Sequence, residues 1–285
     1  MPYDGAHLQE ISVDASTLVN LARYPIADLH ASAAQALIRD CRQRLEAAGA
    51  VTLPDFLTAA ATSALTAEAR GLEEAAHEYR VDHTVYFQPC DESRPAAHAL
   101  RRQVRTDKGN VPYDRIPADA RLRHLYNWDG LLHFVAAVLD EPVLYRHPDP
   151  MAALNINTHG PGQELGWHFD RTDFAVTLSL QQCEEGGVFE YVPNLRSARD
   201  ENFDGVARVL AGSTEGVVSL PAAPGTLTLF RGHHSLHRVT PGFGASKRLM
   251  AALSYVRDPT VLFSAYARRL FYGRETPLSV ESPSP

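Results

Sequence analysis

Hydrophobic positions along this chain follow two regimes, with the change near residue 142. Before it the spacing is helical. Ala34, Leu37, Ile38, Cys41 and Leu45 recur at intervals of three and four between Arg and Gln, which predicts a helix over residues 33–48, stopped by Gly49. Residues 50–53 read as a short strand, residues 56–78, rich in Ala, Leu and Glu, as a second helix, and residues 122–139 as a third. The stretch from Cys90 to Pro117 is polar and proline-punctuated and carries Arg101, Arg102, Arg105, Lys108 and Arg115. It reads as a long loop or broken helix, a kind of segment that often serves function. The first thirty residues are weakly periodic and are expected to wrap the surface.

After residue 142, short runs with period-two alternation follow one another between Gly, Pro and Asn. They predict strands at 143–146, 152–157, 166–169, 174–182, 188–192, 225–230, 235–240 and 247–256. Strands in this density suggest a closed or nearly closed antiparallel structure. A last helix is expected at 260–270, and the Pro/Ser tail after Glu275 is expected to be disordered. With no internal repeat or low-complexity linker, residues 1–285 read as one α+β domain: a mainly helical part (1–141), a β core (142–258), a C-terminal helix and lid (259–275) and a tail (276–285).

Composition narrows the partners. With 285 residues, 45% of them hydrophobic, there is apolar material for one large core. A net charge of −7 offers no basic field for nucleic acid or anionic lipid. No apolar run approaches the roughly 20 residues of a spanning helix, and Met-Pro-Tyr-Asp-Gly-Ala-His has neither the basic nor the apolar region of a secretory signal. Cys41, Cys90 and Cys183 are scattered, with neither disulfide nor zinc spacing, which fits the cytoplasm. The expected partner is a small molecule; a homodimer is left open.

The chemistry lies in histidines and carboxylates. A mononuclear iron centre that activates oxygen needs two imidazoles and one carboxylate on one face, with positions left for a chelating cosubstrate and O2. On a strand this becomes His-x-Asp, because residues i and i+2 project to the same side. Two such pairs occur. His147-Pro148-Asp149 is followed by Pro150, and proline is excluded from interior strands, so this pair reads as a turn. His168-Phe169-Asp170 ends a strand and precedes the strongest strand of the chain, and these two residues are the expected ligands. Of His233, His234 and His237, the first two sit against Gly232 in a turn. His237 lies in an alternating run, eleven positions before Arg248, and is taken as the third ligand.

Along residues 247–255, Arg248, Met250, Ala252 and Ser254 share one face, while Leu249, Ala251, Leu253 and Tyr255 share the other. Arg248 would be a buried unpaired charge unless an anion met it, and its fork suits the far carboxylate of a chelating diacid such as 2-oxoglutarate. Asn155 and Asn157 share one face of their strand, and Thr177 and Ser179 one face of theirs, so Ser254, Asn155, Asn157 and Thr177 are expected to line the same cavity.

Taken together, His168-Phe169-Asp170, the run Gly186-Gly187-Val188-Phe189-Glu190-Tyr191-Val192-Pro193, and Ser235-Leu236-His237-Arg238-Val239-Thr240-Pro241 through Arg248 resemble the double-stranded β-helix 2-oxoglutarate oxygenases. More narrowly, they are similar to the bacterial branch of free-amino-acid radical halogenases and hydroxylating relatives, over about residues 142–273. The resemblance implies a jelly-roll, cupin-like core with packed N- and C-terminal helices, Fe(II) on His168, Asp170 and His237, and 2-oxoglutarate and O2 as cosubstrates. Halogenases of that branch carry a small residue where this chain has Asp170, so the resemblance implies hydroxylation before halogenation or desaturation. Leu165 and Ala252 stand where lysine-specific members carry polar contacts, which argues against a lysine substrate. Arg171 and Arg105 are then expected to favour a carboxylate-bearing substrate, with Phe271-Tyr272 as an aromatic segment closing over it. A zinc hydrolase or isomerase and a non-catalytic binding barrel are the remaining alternatives; Arg248 argues against the zinc enzyme.

Overall fold

Thr58 accepts a hydrogen bond from the Ala61 N–H at 3.2 Å, and this cap decides where the second helix begins. The computed structural model describes residues 14–278. In them α1 (Ser32–Ala48), β1 (Ala50–Leu53) and α2 (Ala59–Gly71) follow in order. The helix expected to reach residue 78 therefore stops at Gly71, and β2 (His77–Thr84) takes over. The expected polar loop likewise contains β3 (Gln103–Val111), which pairs with the whole of β2 from His77↔Asn110 to Thr84↔Gln103. Long-range pairing has overridden local composition in both places.

The third helix is broken into α3 (Arg121–Asn127) and α4 (Asp129–Leu139), with Trp128 extended between them. Then come β4 (Tyr145–Arg146), β5 (Leu154–His159), β6 (Leu165–His168), β7 (Ala175–Gln181), β8 (Glu185–Gly186) and β9 (Phe189–Val192). An unforeseen helix, α5 (Phe203–Leu210), and strand, β10 (Val218–Leu220), precede β11 (Leu227–Phe230) and β12 (Leu236–Val239). The chain continues through β13 (Gly242–Phe243), β14 (Arg248–Leu253) and β15 (Tyr255–Val256) to α6 (Ala265–Tyr272). No helix among the described residues is long and apolar enough to cross a membrane.

Two antiparallel sheets carry the molecule. The large one has the order β1-β11-β7-β14-β5-β3-β2, the small one β10-β9-β12-β6. Alternation sorts their side chains as the sequence predicts. Leu154 and Ile156, Val176 and Leu178, and Leu249, Ala251 and Leu253 leave the large sheet on one face and form the main core with α1 to α4. Each such fully buried aliphatic side chain contributes roughly 1.5–3 kcal/mol. The outer face of the small sheet, with Trp167, Phe169, Val192 and Leu236, is covered by Val206 and Val209 of α5. Between the sheets, Phe230 of β11 packs edge-on against Phe189 and Tyr191 of β9.

His147-Pro148-Asp149 is outside any strand, as the prolines require. Asp149 is fully buried and accepts from the N–H groups of Met151 (2.9 Å) and Phe263 (3.0 Å) and from Arg268 Nε (2.9 Å) and Nη2 (2.7 Å). It fastens α6 to the β core. Beyond α6, the Leu278 N–H donates to Asp114 Oδ2 at 2.8 Å. Residues 1–13, and 279–285 of the tail expected to be disordered, lie outside the described residues.

Candidate metal centre

His168 of β6 and His237 of β12 stand directly opposite each other in the small sheet, with ring centroids 4.0 Å apart. Asp170 follows β6 and is turned back over the pair. Its N–H donates to the Gly232 carbonyl at 3.1 Å, and His233 Nδ1–H donates to its carbonyl, also at 3.1 Å. Position 232 must be glycine, because a Cβ there would lie 1.8 Å from Asp170 Oδ2. Asp170 Oδ1 then stands 3.5 Å from His168 Nε2 and 3.4 Å from His237 Nε2, and the three donor atoms lie within 4.8 Å of one another. This group can hold a metal ion.

The tautomers fit that role. His168 Nδ1 faces the Gly166 carbonyl at 2.8 Å and His237 Nδ1 faces the Ser235 carbonyl at 2.9 Å. A carbonyl only accepts, so both Nδ1 atoms carry the proton and both Nε2 lone pairs face the centre. Burial, aided by neighbouring His237, pushes His168 down to about 4 and keeps it neutral at pH 7. Burial raises the Asp170 carboxyl, but interaction with His237 and then His168 outweighs it and holds the carboxyl well below its usual range. Aromatic rings close the sides: Phe87 against His168, Phe230 and Phe189 against His237.

Arg248 opens β14 on the inner face, 8% exposed, with Nη1 lacking any hydrogen-bond partner among the described residues. Burial lowers it to about 10. The glycine pair before β9 makes room for it. Gly187 has φ +60°, and a Cβ there would lie 2.4 Å from Cys183 Sγ and 3.4 Å from Arg248 Cδ. Directly opposite Arg248 is His159, 1% exposed, both ring nitrogens unpartnered, driven to the neutral form by burial and by the charges of Arg248 and Lys108.

The other expected site residues divide. Asn157 accepts from Lys108 Nζ on the inner face. Thr177 shares that face, opposite Ala252. Asn155 is engaged elsewhere: its Nδ2 donates to the carbonyls of Met151 (2.7 Å) and Leu154 (2.9 Å), and its Oδ1 accepts from Tyr272 OH (3.0 Å). Tyr272, expected to close over substrate, is thus buried and pins α6. Ser254 lies beyond the end of β14, six positions from Arg248, or roughly 20 Å along a strand. Its backbone is what is used: the carbonyl accepts from Tyr126 OH and the His147 N–H, and the N–H donates to the Ala153 carbonyl at 3.0 Å. Arg105 is not brought to the centre. It projects from β3 on the face opposite Lys108 and pairs with Asp82 at 3.2 Å, both about half exposed. Arg171 is exposed and donates to the Phe87 carbonyl at 3.1 Å.

Lys108, His159 and Phe87 are site residues that the sequence does not single out, whereas His233, set aside as a ligand, supports Asp170 through its carbonyl. Lys108 was named in the sequence only as part of a polar stretch. The alternation of Thr106, Lys108 and Asn110 was the signal available for it.

A model of the halogenase D family matches residues 33–262. The chain belongs to the halogenase D family. Among curated protein sequences none matches. Solved structures similar to this halogenase D family member include the epimerase SnoN of nogalamycin biosynthesis, α-ketoglutarate-dependent and non-heme (TM-score 0.55, 16% identity, 88% of this chain and 94% of that one). Others are AviO1 from Streptomyces viridochromogenes Tue57 (0.52, 20%, 79% and 97%) and a 2OG-Fe(II) oxygenase family oxidoreductase from Burkholderia pseudomallei (0.51, 16%, 78% and 91%). At these identities the likeness establishes a shared fold: mixed α and β with a large antiparallel sheet.

Proposed function

We propose that this protein is an Fe(II)- and 2-oxoglutarate-dependent oxygenase that hydroxylates an unactivated C–H bond of a small amino-acid-like or carboxylate-bearing substrate. The observation that carries this is the convergence of His168 Nε2, His237 Nε2 and Asp170 Oδ1, with both imidazoles locked in the metal-binding tautomer. SnoN, which shares the fold, has been crystallised with Fe3+ and α-ketoglutarate. The two sheets are the walls of a double-stranded β-helix in this reading, and the free cysteines suit the cytoplasm.

Bound between the walls, iron and 2-oxoglutarate supply O2 activation, with release of succinate and CO2 and oxidation of the substrate. The chain supplies positioning. His168, Asp170 and His237 would hold the metal, and Arg248, whose Nη1 has no partner among the described residues, would meet the far carboxylate of the cosubstrate. Phe87, Phe189 and Phe230 keep water from the imidazoles.

Membership of the halogenase D family makes radical halogenation the second reading. Asp170 favours hydroxylation, since chloride would have to displace a carboxylate that already faces both imidazoles. Anaerobic addition of Fe(II) and 2-oxoglutarate to purified protein is expected to produce a visible charge-transfer band. A panel of small carboxylates and amino acids should then reveal substrate-stimulated succinate release. Absence of the band overturns the proposal. A chlorinated product in chloride buffer would replace hydroxylation by halogenation.

A further inference from the structure

One row of side chains crosses the inner face of the large sheet near the metal centre. Tyr79 of β2 is opposite Lys108 of β3, and His159 of β5 is opposite Arg248 of β14. Gly109 is opposite Thr158, which puts Lys108 beside His159 and joins the two pairs into one rung over four strands. The two cations of this rung lean the same way. Lys108 Nζ reaches Asn157 Oδ1, and Arg248 Nη2 lies 3.5 Å from Met250 Sδ. Asn157 and Met250 are themselves opposite each other, and such partners are about 5 Å apart. An ammonium and a guanidinium therefore end side by side.

Neither forms an ion pair with an acidic side chain among the described residues, although sixteen Lys or Arg contacts with carboxylates occur there. Between them stand a neutral imidazole with two unpartnered nitrogens and the unpartnered Arg248 Nη1. Tyr79 lies over Lys108, its ring 6.0 Å from Nζ, and Phe271 of α6 packs on Tyr79. Two like charges held together away from bulk water repel each other unless an anion lies between them. The spacing suits one carboxylate that takes a fork from Arg248 and a point charge from Lys108.

We infer that Lys108 is a second cosubstrate-binding cation, sharing with Arg248 the distal carboxylate of a 2-oxo dicarboxylic acid. The inference rests on the proposed function and deepens it. The pocket selects for a dianion because a monocarboxylate 2-oxo acid leaves both cations unneutralised.

Binding to the Mn(II)-loaded protein, followed by calorimetry, separates the two claims without turnover. The probes are 2-oxoglutarate and 2-oxobutyrate, which lacks the distal carboxylate. Lys108→Met is expected to weaken 2-oxoglutarate about 10- to 100-fold, the range for one charge-assisted hydrogen bond, and to leave 2-oxobutyrate within about twofold. Lys108→Arg should restore most of the 2-oxoglutarate affinity, and Arg248→Met should show the same selectivity as Lys108→Met. If Lys108→Met binds 2-oxoglutarate like the wild type, or loses both acids equally, the inference is overturned while the proposed function stands. Wild-type protein that takes up no 2-oxoglutarate overturns both.

Discussion

The chain contains His-x-Asp twice, and the two copies have opposite fates. In His147-Pro148-Asp149 the carboxylate is satisfied by the protein: two backbone N–H groups and two Arg268 nitrogens use it, and the Asp149 N–H donates to His147 Nδ1 at 3.1 Å. In His168-Phe169-Asp170 the carboxylate meets no Lys or Arg among the described residues. It faces two imidazoles whose Nδ1 hydrogen bonds to backbone carbonyls hold their protons away from it. A carboxylate with its own cation is a fastener. One that faces two imidazole lone pairs can hold a metal ion. The motif is the same, and what differs is whether the rest of the chain leaves it unsatisfied.

The difference can be broken from either side. Asp149→Asn removes one partner of a buried ion pair and is expected to cost about 3–5 kcal/mol of stability, measured by denaturant unfolding, with metal affinity unchanged. Asp170→Ala should do the reverse: Mn(II) or Fe(II) affinity falls more than about 100-fold, while unfolding of the metal-free protein stays within about 1 kcal/mol of wild type. Equal stability losses in the two variants would erase the distinction. A smaller effect is expected from His233→Ala, which frees the Asp170 carbonyl and should weaken metal binding by about tenfold. Smallest is a pH signature. Burial opposes ionisation of Asp149, but the Met151 N–H, Arg268 and the Phe263 N–H outweigh it and hold the carboxyl below its ordinary 3.8. Its contribution is therefore fully present above that value and lost as pH falls through the lower folded value. Asp149→Asn should flatten unfolding free energy against pH in that acid window.

The group His168, Asp170 and His237, which can hold a metal ion, was legible because strand alternation, proline exclusion and the spacing to Arg248 all act locally. The partners that set their tautomers were not, since Gly166 and Ser235 contribute backbone carbonyls, which no residue type encodes. β3 was missed for a related reason. Its inner face carries the polar residues Thr106, Lys108 and Asn110, and Arg105 and Asp107 alternate with them on the other face, so no apolar stripe marks the strand. The second helix was overextended because the residues of β2 alternate without strong hydrophobicity and gain their structure from pairing with β3. Trp128 breaks the third helix between two halves that are both apolar, which leaves periodicity nothing to report. Arg105 followed the same error: placed in a loop it looked free to reach substrate, but strand geometry turns it outward.

The pairing of His168 with His237 on a single rung bears on how chain length can change in descendants of this protein. The loop that enters β6 and the loop that leaves β12 can lengthen or shorten without moving the two imidazoles, whereas the turn after β6 carries Asp170 and the turn before β12 carries the Gly232 and His233 that hold it. A one-residue deletion inside 236–239 would instead slide β12 along its neighbours and turn His237 towards the Trp167 side. Substitutions of its neighbours Leu236, Arg238 and Val239 act gradually, whereas a frame slip of one residue turns His237 away outright.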